Sequence, residues 1–394
     1  MERYSNFRGK ALFFLFFLWF LWFVNFSVRI VLSPLLPVIE DEFLINHARS
    51  SGIFIFLSAG YGVAVIVSGL FSGRIGYKKT IIFSLLLLGL ACFLIPLVNS
   101  LFLLNIFAFV LSFAVGLYLP SVIPLITEYY DEQNWGKAIA IHDTGTSLAI
   151  FATPLVALFL LHFLPWRNIF VIYAVVFLLC AVIFYFAASE VKIINPPKAM
   201  FRDIVKMKSL WVMALIWVFG MGANLGIYSI IPLYMTKELH LNIDYANTVL
   251  GISRLGAVAV SIACGFVLDR FDLRKVLLVV LFLTSVFTVL LGFSPVQYTG
   301  IVLFMQSSVV IAFFPVGLVI IAKAFAREMR SLATGIIVAL SVVFGGGIIP
   351  YLLGVSGDLY SFRLGITVFG ILIMPAGALV FRLQELRRRN DCSV

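Results

Sequence analysis

Arg29 and Arg254 each interrupt a long apolar run, and the neighbours His142 and Asp143 interrupt a third. An arginine stays protonated at any working pH, and its planar fork takes a carboxylate or phosphate through two parallel hydrogen bonds. Free aspartate titrates near 3.9 and free histidine near 6.5, so either could exchange a proton, which the arginines cannot do. These residue types fit the binding of an anion coupled to the movement of a proton. An arginine at the centre of a membrane helix costs roughly 2.5 to 3.5 kcal/mol on insertion scales, so both must face protein or water.

The spacing around each arginine is helical. Trp22, Asn25, Arg29 and Ser33 fall within an arc of about 80°, because steps of three, four and seven return to one face. Asn247, Arg254, Ser261 and Gly265 repeat the stripe. Both stripes are expected to line a cavity. Each arginine stands eight residues from the expected outer end of its helix, at 37 and 246, so the two share a depth and could hold one ligand together. The bland alternative is that each bonds helix carbonyls or a neighbouring carboxylate and holds helices together. Of 18 acidic residues only Asp143 lies well inside a span. Adjacent helical positions diverge by about 100°, so one of His142 and Asp143 should face the cavity while the other packs on a helix. Asp143 could also be a buried hydrogen-bond partner or an inner-gate residue. Tyr118, Asn224, Tyr228 and Gln306 could orient a ligand or bond between helices. Glu128, with Asp131 and Glu132, suits a cytoplasmic gate cluster, and Gly345, Gly346 and Gly347 before Pro350 suit a hinge or a close helix contact.

The elements that position these residues follow from composition. The 394 residues are 62% hydrophobic and 12% charged, with a mean hydropathy of +1.12, too little polar surface for a soluble exterior. In lipid a helix satisfies every backbone group within one segment. The expectation is an all-α membrane protein with twelve transmembrane helices, near 11–37, 49–73, 80–98, 101–128, 136–161, 166–188, 209–236, 246–268, 275–293, 297–322, 331–353 and 362–381. The first span begins like a signal sequence but continues through Arg29 to Pro37 without a small-residue cleavage site, so it counts as helix one. Cys92, Cys180 and Cys264 fall inside spans and Cys392 in the tail, which is no disulfide framework.

The net charge of +10 is explained by placement. With the amino terminus inside, cytoplasmic segments hold 22 of the 28 Lys and Arg, outer loops hold Arg49, Arg167, Lys237 and Arg363, and two lie in the membrane. That bias sets both termini in the cytoplasm of a cell membrane, plasma or inner, with basic clusters facing anionic lipid and no nucleic-acid partner. The polar stretch 189–208 is a cytoplasmic linker between a six-helix half at 1–188 and a second at 209–394. Shifting by 195 or 196 aligns Pro37 with Pro232, Gly69 with Gly265, Arg74 with Arg270, Pro120 with Pro315 and Ala138 with Ala333. A constant offset indicates duplication and two pseudo-symmetric halves.

The stretch Gly69, Leu70, Phe71, Ser72, Gly73, Arg74, Ile75, Gly76, Tyr77, Lys78, Lys79 resembles the loop motif of the major facilitator superfamily, and Gly265 to Lys275 repeats it with Asp269 and Arg270. Gly73 stands where that family usually has aspartate. Trp166 and Arg167 before Phe170 resemble the family's start of helix six. The resemblance implies secondary transport by alternating access, with substrate near the midplane between halves that rock. It makes Gly69, Arg74, Gly265, Asp269 and Arg270 gate residues, the glycines through close packing. Helix one, from Asn25 through Arg29 to Phe43, is similar to the anion:cation symporter branch, where the arginine contacts substrate carboxylate; Val28 stands where aspartate often precedes it. Arg254 looks like the helix-eight arginine of monocarboxylate and oxalate transporters. The expected substrate is a small organic anion, with a proton as coupling ion, no cofactor and a functional monomer. The alternative, a multidrug/H+ efflux antiporter, lacks its glycine-rich signature around Ala149 to Pro154. An enzyme has no support, since no metal-spaced His and Cys cluster or phosphate-cradling loop is present.

Overall fold

The computed structural model describes Tyr4 and residues 7–189, 201–268, 270–326 and 329–383. Among the described residues eleven helices are long and apolar enough to cross a membrane, and a further one runs in two shorter pieces, twelve in order. They are α1 Lys10–Phe43, α2 His47–Ile75, α3 Tyr77–Leu97, α4 Leu101–Tyr129, α5 Glu132–Leu161, α6 Trp166–Ala187 and α7 Lys208–Glu238. Then come α8 in two pieces, Ile243–Ile252 and Leu255–Leu268, α9 Leu273–Phe293, α10 Val296–Ala324, α11 Leu332–Leu359 and α12 Phe362–Arg382. Several starts are fixed by short polar side chains that take up amides left free in the first turn. Ser100 accepts from Leu103 N–H, Asn242 from Asp244 N–H, Asp272 from Arg274 and Lys275 N–H, and Ser361 from Leu364 N–H.

Three helices depart from the expected spans. Helix α1 runs to Phe43 rather than 37 because it breaks at Val31 and rewinds over Leu32–Phe43. Pro34 then falls in the first turn of the new piece, where its missing N–H costs nothing. Helix α11 continues to Leu359 rather than 353. The single span expected at 246–268 is broken at Ser253 and Arg254. There the Ser253 hydroxyl donates to the Leu250 carbonyl at 2.8 Å and Arg254 N–H reaches back only three residues, to Gly251 at 3.1 Å. A serine competing for a backbone carbonyl loosens the helix at that point.

Contacts divide the chain into two units, Met1–Phe43 with Phe56–Asn195, and Leu44–Ile55 with Pro196–Val394. In the first unit the Glu42 carboxylate accepts from the Trp166 indole at 2.5 Å and from Arg167, whose other nitrogen donates to the Val98 carbonyl at 3.0 Å. In the second, the Glu238 carboxylate accepts from the Phe362 and Arg363 amides, and Arg363 donates to the Ser294 carbonyl at 3.5 Å. All four positions differ by 196. Likewise the Trp135 indole donates to the Tyr130 carbonyl at 2.8 Å, and Arg330 to the Phe325 carbonyl at 3.2 Å, an offset of 195. The duplication seen in sequence is therefore repeated as hydrogen bonds. In the second unit, the start of α2 lies on α11, where His47 and Ala48 N–H donate to the Asp358 carboxylate at 2.9 and 2.8 Å. The bare Gly354 permits that approach, since a Cβ there would stand 2.6 Å from the His47 carbonyl oxygen.

Candidate functional site

The first unit gathers its polar residues where α1, α2, α4 and α5 pack closely. A Cβ on Gly145 of α5 would stand 2.9 Å from the Trp19 carbonyl oxygen, and one on Gly60 of α2 would stand 2.2 Å from that of Phe109 on α4. Small residues thus let the backbones approach and fix the side chains beside them. Arg29 is 7% exposed, and its guanidinium carbon lies 4.2 Å from the centroid of the Tyr61 ring and 5.9 Å from that of Phe26. A desolvated cation over an aromatic face gains about 2 kcal/mol, which offsets part of the cost of burial. Among the described residues no carboxylate stands within ion-pair distance of Arg29.

One turn away, Asn25 is fully buried with neither amide atom hydrogen bonded. Leaving a buried polar group unpaired costs about 1 to 3 kcal/mol, so Asn25 marks a place where a further polar partner would be stabilised. Ser33, on the same face, is buried too. Trp22 stacks on Tyr118 at 5.7 Å and on His142 at 5.8 Å, with interplanar angles of 14° and 13°. The Tyr118 hydroxyl donates to the Leu18 carbonyl at 3.0 Å and lies 3.4 Å from Nε2 of His142, whose Nδ1 has no partner. With the phenolic proton on Leu18, the imidazole proton belongs on Nε2 and Nδ1 keeps its lone pair. Adjacent Asp143 is exposed, and the Trp22 indole nitrogen has no hydrogen-bond partner among the described residues. His142 is thus buried and Asp143 exposed. Tyr61 lies within electrostatic range of both Arg29 and Asp143.

The second unit builds a different cluster around Arg254, which is 5% exposed and sits in the break of α8. Its Nη1 donates to Oδ1 of Asn224 at 2.6 Å, its Nη2 to the Asn224 carbonyl at 3.3 Å, and its guanidinium carbon lies 4.9 Å from the Tyr228 ring centroid. Nε has no partner. Gln306 on α10 donates to the Ala223 carbonyl at 2.8 Å and lies 3.4 Å from the Thr288 hydroxyl, while its own Oε1 is unbonded. Asn247 is buried on the first piece of α8. Asn224 lies in a π-helical turn, Gly222–Gly226, and a second π-helical stretch, Val342–Ile348, contains the three glycines of α11. These glycines make a close contact: a Cβ on Gly345 would stand 2.5 Å from the Val218 carbonyl oxygen.

The expected gate residues are less gathered. A Cβ on Gly69 would meet nothing within 4 Å among the described residues. Arg74 and Arg270 are exposed and Glu128 is half-buried. Asp269 and the surroundings of Ser261 and Gly265 lie outside the described residues.

Sequence reasoning passed over Tyr61. The signal was there, since Ala59, Gly60, Gly62 and Ala64 surround it with small residues, and Arg254 shifted back by 195 falls on Ala59. It also passed over Trp19, whose indole donates to the Thr144 hydroxyl at 2.9 Å and ties α1 to α5 one residue from Asp143.

The fold is shared with solved transporters. A bacterial homologue of the human lysosomal transporter Spinster, inward-facing and unoccupied, superposes with a TM-score of 0.80 at 14% identity, covering 96% of this chain and 98% of that one. Its occupied form gives 0.81 at the same identity and coverage. A D-xylose-proton symporter gives 0.79 at 12% identity, covering 95% and 98%. At such identities the likeness carries the fold alone. No match emerges among curated proteins. The sequence model of one family, however, matches residues 18–246 and again 223–391. With eleven helices long and apolar enough to cross a membrane among the described residues, and family matches that reach from residue 18 to 391, this chain is a membrane transporter and belongs to the Major Facilitator Superfamily.

Proposed function

We propose that the chain moves a small organic anion, a carboxylate foremost, by alternating access, and that a proton moves with it. The observation that carries this reading is Arg29, a permanently charged and buried fork that rests on Tyr61 with no carboxylate in ion-pair distance among the described residues. A buried charge is stabilised when it is paired, and a carboxylate ligand supplies both the opposite charge and two acceptors in the plane of the fork. Asn25, one helical turn away, offers a donor and an acceptor to the rest of the ligand.

Asp143 is the proposed proton carrier. It is exposed on its unit, while Tyr61 lies in the electrostatic range of both Asp143 and Arg29. Pairing Arg29 with an anion removes a positive charge from this network, and protonating Asp143 removes a negative one. A carrier loaded with both moves less net charge through a low dielectric than a carrier loaded with one, which favours joint movement. His142, enclosed between Trp22 and Tyr118, holds the shape of the cluster and keeps Nδ1 free as a second proton acceptor.

The proposed orientation has both termini in the cytoplasm of a cell membrane, and the proposed working form is a monomer. The deciding experiment is uptake into proteoliposomes of labelled monocarboxylates and dicarboxylates beside a cationic dye, with and without an inward proton gradient. Carboxylate uptake stimulated by the gradient is expected. Dye movement without carboxylate movement would replace this reading with drug efflux.

A further inference from the structure

We infer that Asn224 is a built-in stand-in for the substrate carboxylate: it occupies the fork of Arg254 before the anion arrives and is displaced when the anion binds. The inference rests on the organic-anion reading above and adds a residue that sets its affinity. Two oxygens of one residue, Oδ1 at 2.6 Å and the backbone carbonyl at 3.3 Å, take two different nitrogens of the guanidinium. That is the pattern in which a carboxylate meets an arginine, here made by neutral groups. A charged carboxylate makes the stronger pair and displaces the amide.

The repeat points the same way. Arg29 shifted by 195 falls on Asn224, so the position that carries the cation in the first half carries, in the second, the group that occupies a cation on the next helix. Arg29 itself has no such occupant among the described residues: its guanidinium lies on Tyr61, and no hydrogen bond to an oxygen of those residues ties it down. The two arginines are therefore inequivalent, one open and one self-occupied.

The backbone around Asn224 is built for displacement. In the turn Gly222–Gly226 the Ile227 amide bonds the carbonyls of Gly222 and Asn224 and passes over that of Ala223, which takes Gln306 instead. A π-turn holds one residue more than an α-turn, so a small change of register moves the Asn224 side chain without unwinding α7. The unpartnered Nε of Arg254 and Oε1 of Gln306 show that the cluster is not closed on itself. A Cβ on Gly226 would stand 2.8 Å from the Gly345 carbonyl oxygen, so α7 and α11 touch through their backbones here. A shift in the turn therefore presses directly on α11, which couples occupancy of Arg254 to the packing of that helix.

The test is direct titration of purified protein with straight-chain monocarboxylates and dicarboxylates of two to six carbons, on wild type, Asn224→Ala, Asn224→Asp and Arg254→Gln. Removing the competitor in Asn224→Ala should tighten binding by roughly tenfold, the worth of one charge-assisted hydrogen bond. Placing a fixed carboxylate on the fork in Asn224→Asp should weaken binding to the level of Arg254→Gln. A merely structural Asn224 cannot give tighter binding on removal, so unchanged or weaker binding in Asn224→Ala overturns the inference while leaving the anion reading in place. Should Asn224→Ala not fold, wild-type-like affinity in Asn224→Asp overturns it equally. If wild type itself binds none of the series, the anion reading fails first and this inference falls with it.

Discussion

Arg29 lies over the face of Tyr61, 4.2 Å from the ring centroid, and this contact keeps a positive charge inside the first unit with no carboxylate in ion-pair distance among the described residues. Losing either partner should therefore have different consequences. Arg29→Gln removes the charge that attracts the ligand, and truncating one side of a desolvated charge pair costs about 2 to 5 kcal/mol of binding. Arg29→Lys keeps the charge but loses the planar fork, and its affinity should fall between wild type and Gln. Titration with a carboxylate series reads this order directly. Wild-type affinity in a folded Arg29→Gln protein would return Arg29 to a structural role.

Tyr61 supplies a ring face, so Tyr61→Phe should bind as wild type does. Tyr61→Leu removes the face, and both thermal stability and anion affinity should drop, by about 1 to 2 kcal/mol in each case. Equal behaviour of the Phe and Leu variants would mean that the ring does not hold the guanidinium.

Orientation can be checked with two cysteines in a background lacking Cys392; the three remaining native cysteines are buried. Leu44, 91% exposed between α1 and α2, is predicted to face outside, and Lys198, in the linker, to face the cytoplasm. An impermeant maleimide on intact cells should modify Leu44→Cys and spare Lys198→Cys. The opposite pattern would invert the assignment.

Much of this architecture was legible in the sequence because the membrane imposes a coarse rule on a long window. The twelve helices and the 195 to 196 offset needed only hydropathy and a few prolines, glycines and arginines. What hydropathy cannot show is a break in a helix whose composition stays apolar. Arg254 sits in such a break, opened by Ser253 taking the Leu250 carbonyl, and Arg29 lies two residues before the break at Val31. Nor can helical spacing along one span show which neighbour fills a side chain's vacancy. The stripe Trp22, Asn25, Arg29 was readable, whereas Tyr61 beneath the guanidinium depends on how closely Gly60 lets α2 approach α4. For the same reason spacing could not show that Asn224, in the π-turn of α7, takes the fork of Arg254.

Glu42 and Glu238 hold matching places 196 residues apart, at the starts of α6 and α12. Each is an anion at a helix N-terminus, where the macrodipole and the free amides favour it. Glu238 accepts two backbone amides, so Glu238→Ala leaves two donors unmet and should destabilise the protein by about 1 to 2 kcal/mol. Glu42 accepts side-chain donors instead, so Glu42→Gln, which keeps one acceptor for the Trp166 indole, should cost less. Thermal melting in detergent measures both. A Glu42→Gln loss exceeding that of Glu238→Ala would mean that the Arg167 pair, and not the capped helix start, holds this end of the unit.

Asp143 and His142 are neighbours in sequence with opposite surroundings, and their variants should separate chemistry from packing. Asp143 is exposed on its unit, so Asp143→Asn changes little besides the ability to carry a proton. Uptake driven by a proton gradient should be lost, while exchange of internal for external anion, which needs no net proton movement, should continue near the wild-type rate. His142 is enclosed between Trp22 and Tyr118, and its Nε2 meets the Tyr118 hydroxyl. His142→Gln removes a ring from that stack, and aromatic pairs of this kind contribute about 0.5 to 1.5 kcal/mol beyond their buried area. Its main effect should therefore be a lower melting temperature, with gradient-driven uptake reduced in proportion to folded protein. Measuring gradient-driven uptake, exchange and melting on both variants gives each residue a distinct signature. If gradient-driven uptake survived in Asp143→Asn and vanished in a well-folded His142→Gln, the proton would belong to Nδ1 of the histidine, with Asp143 only shaping its field. Survival in both variants would remove this pair from the coupling and send the search for the proton carrier elsewhere in the chain.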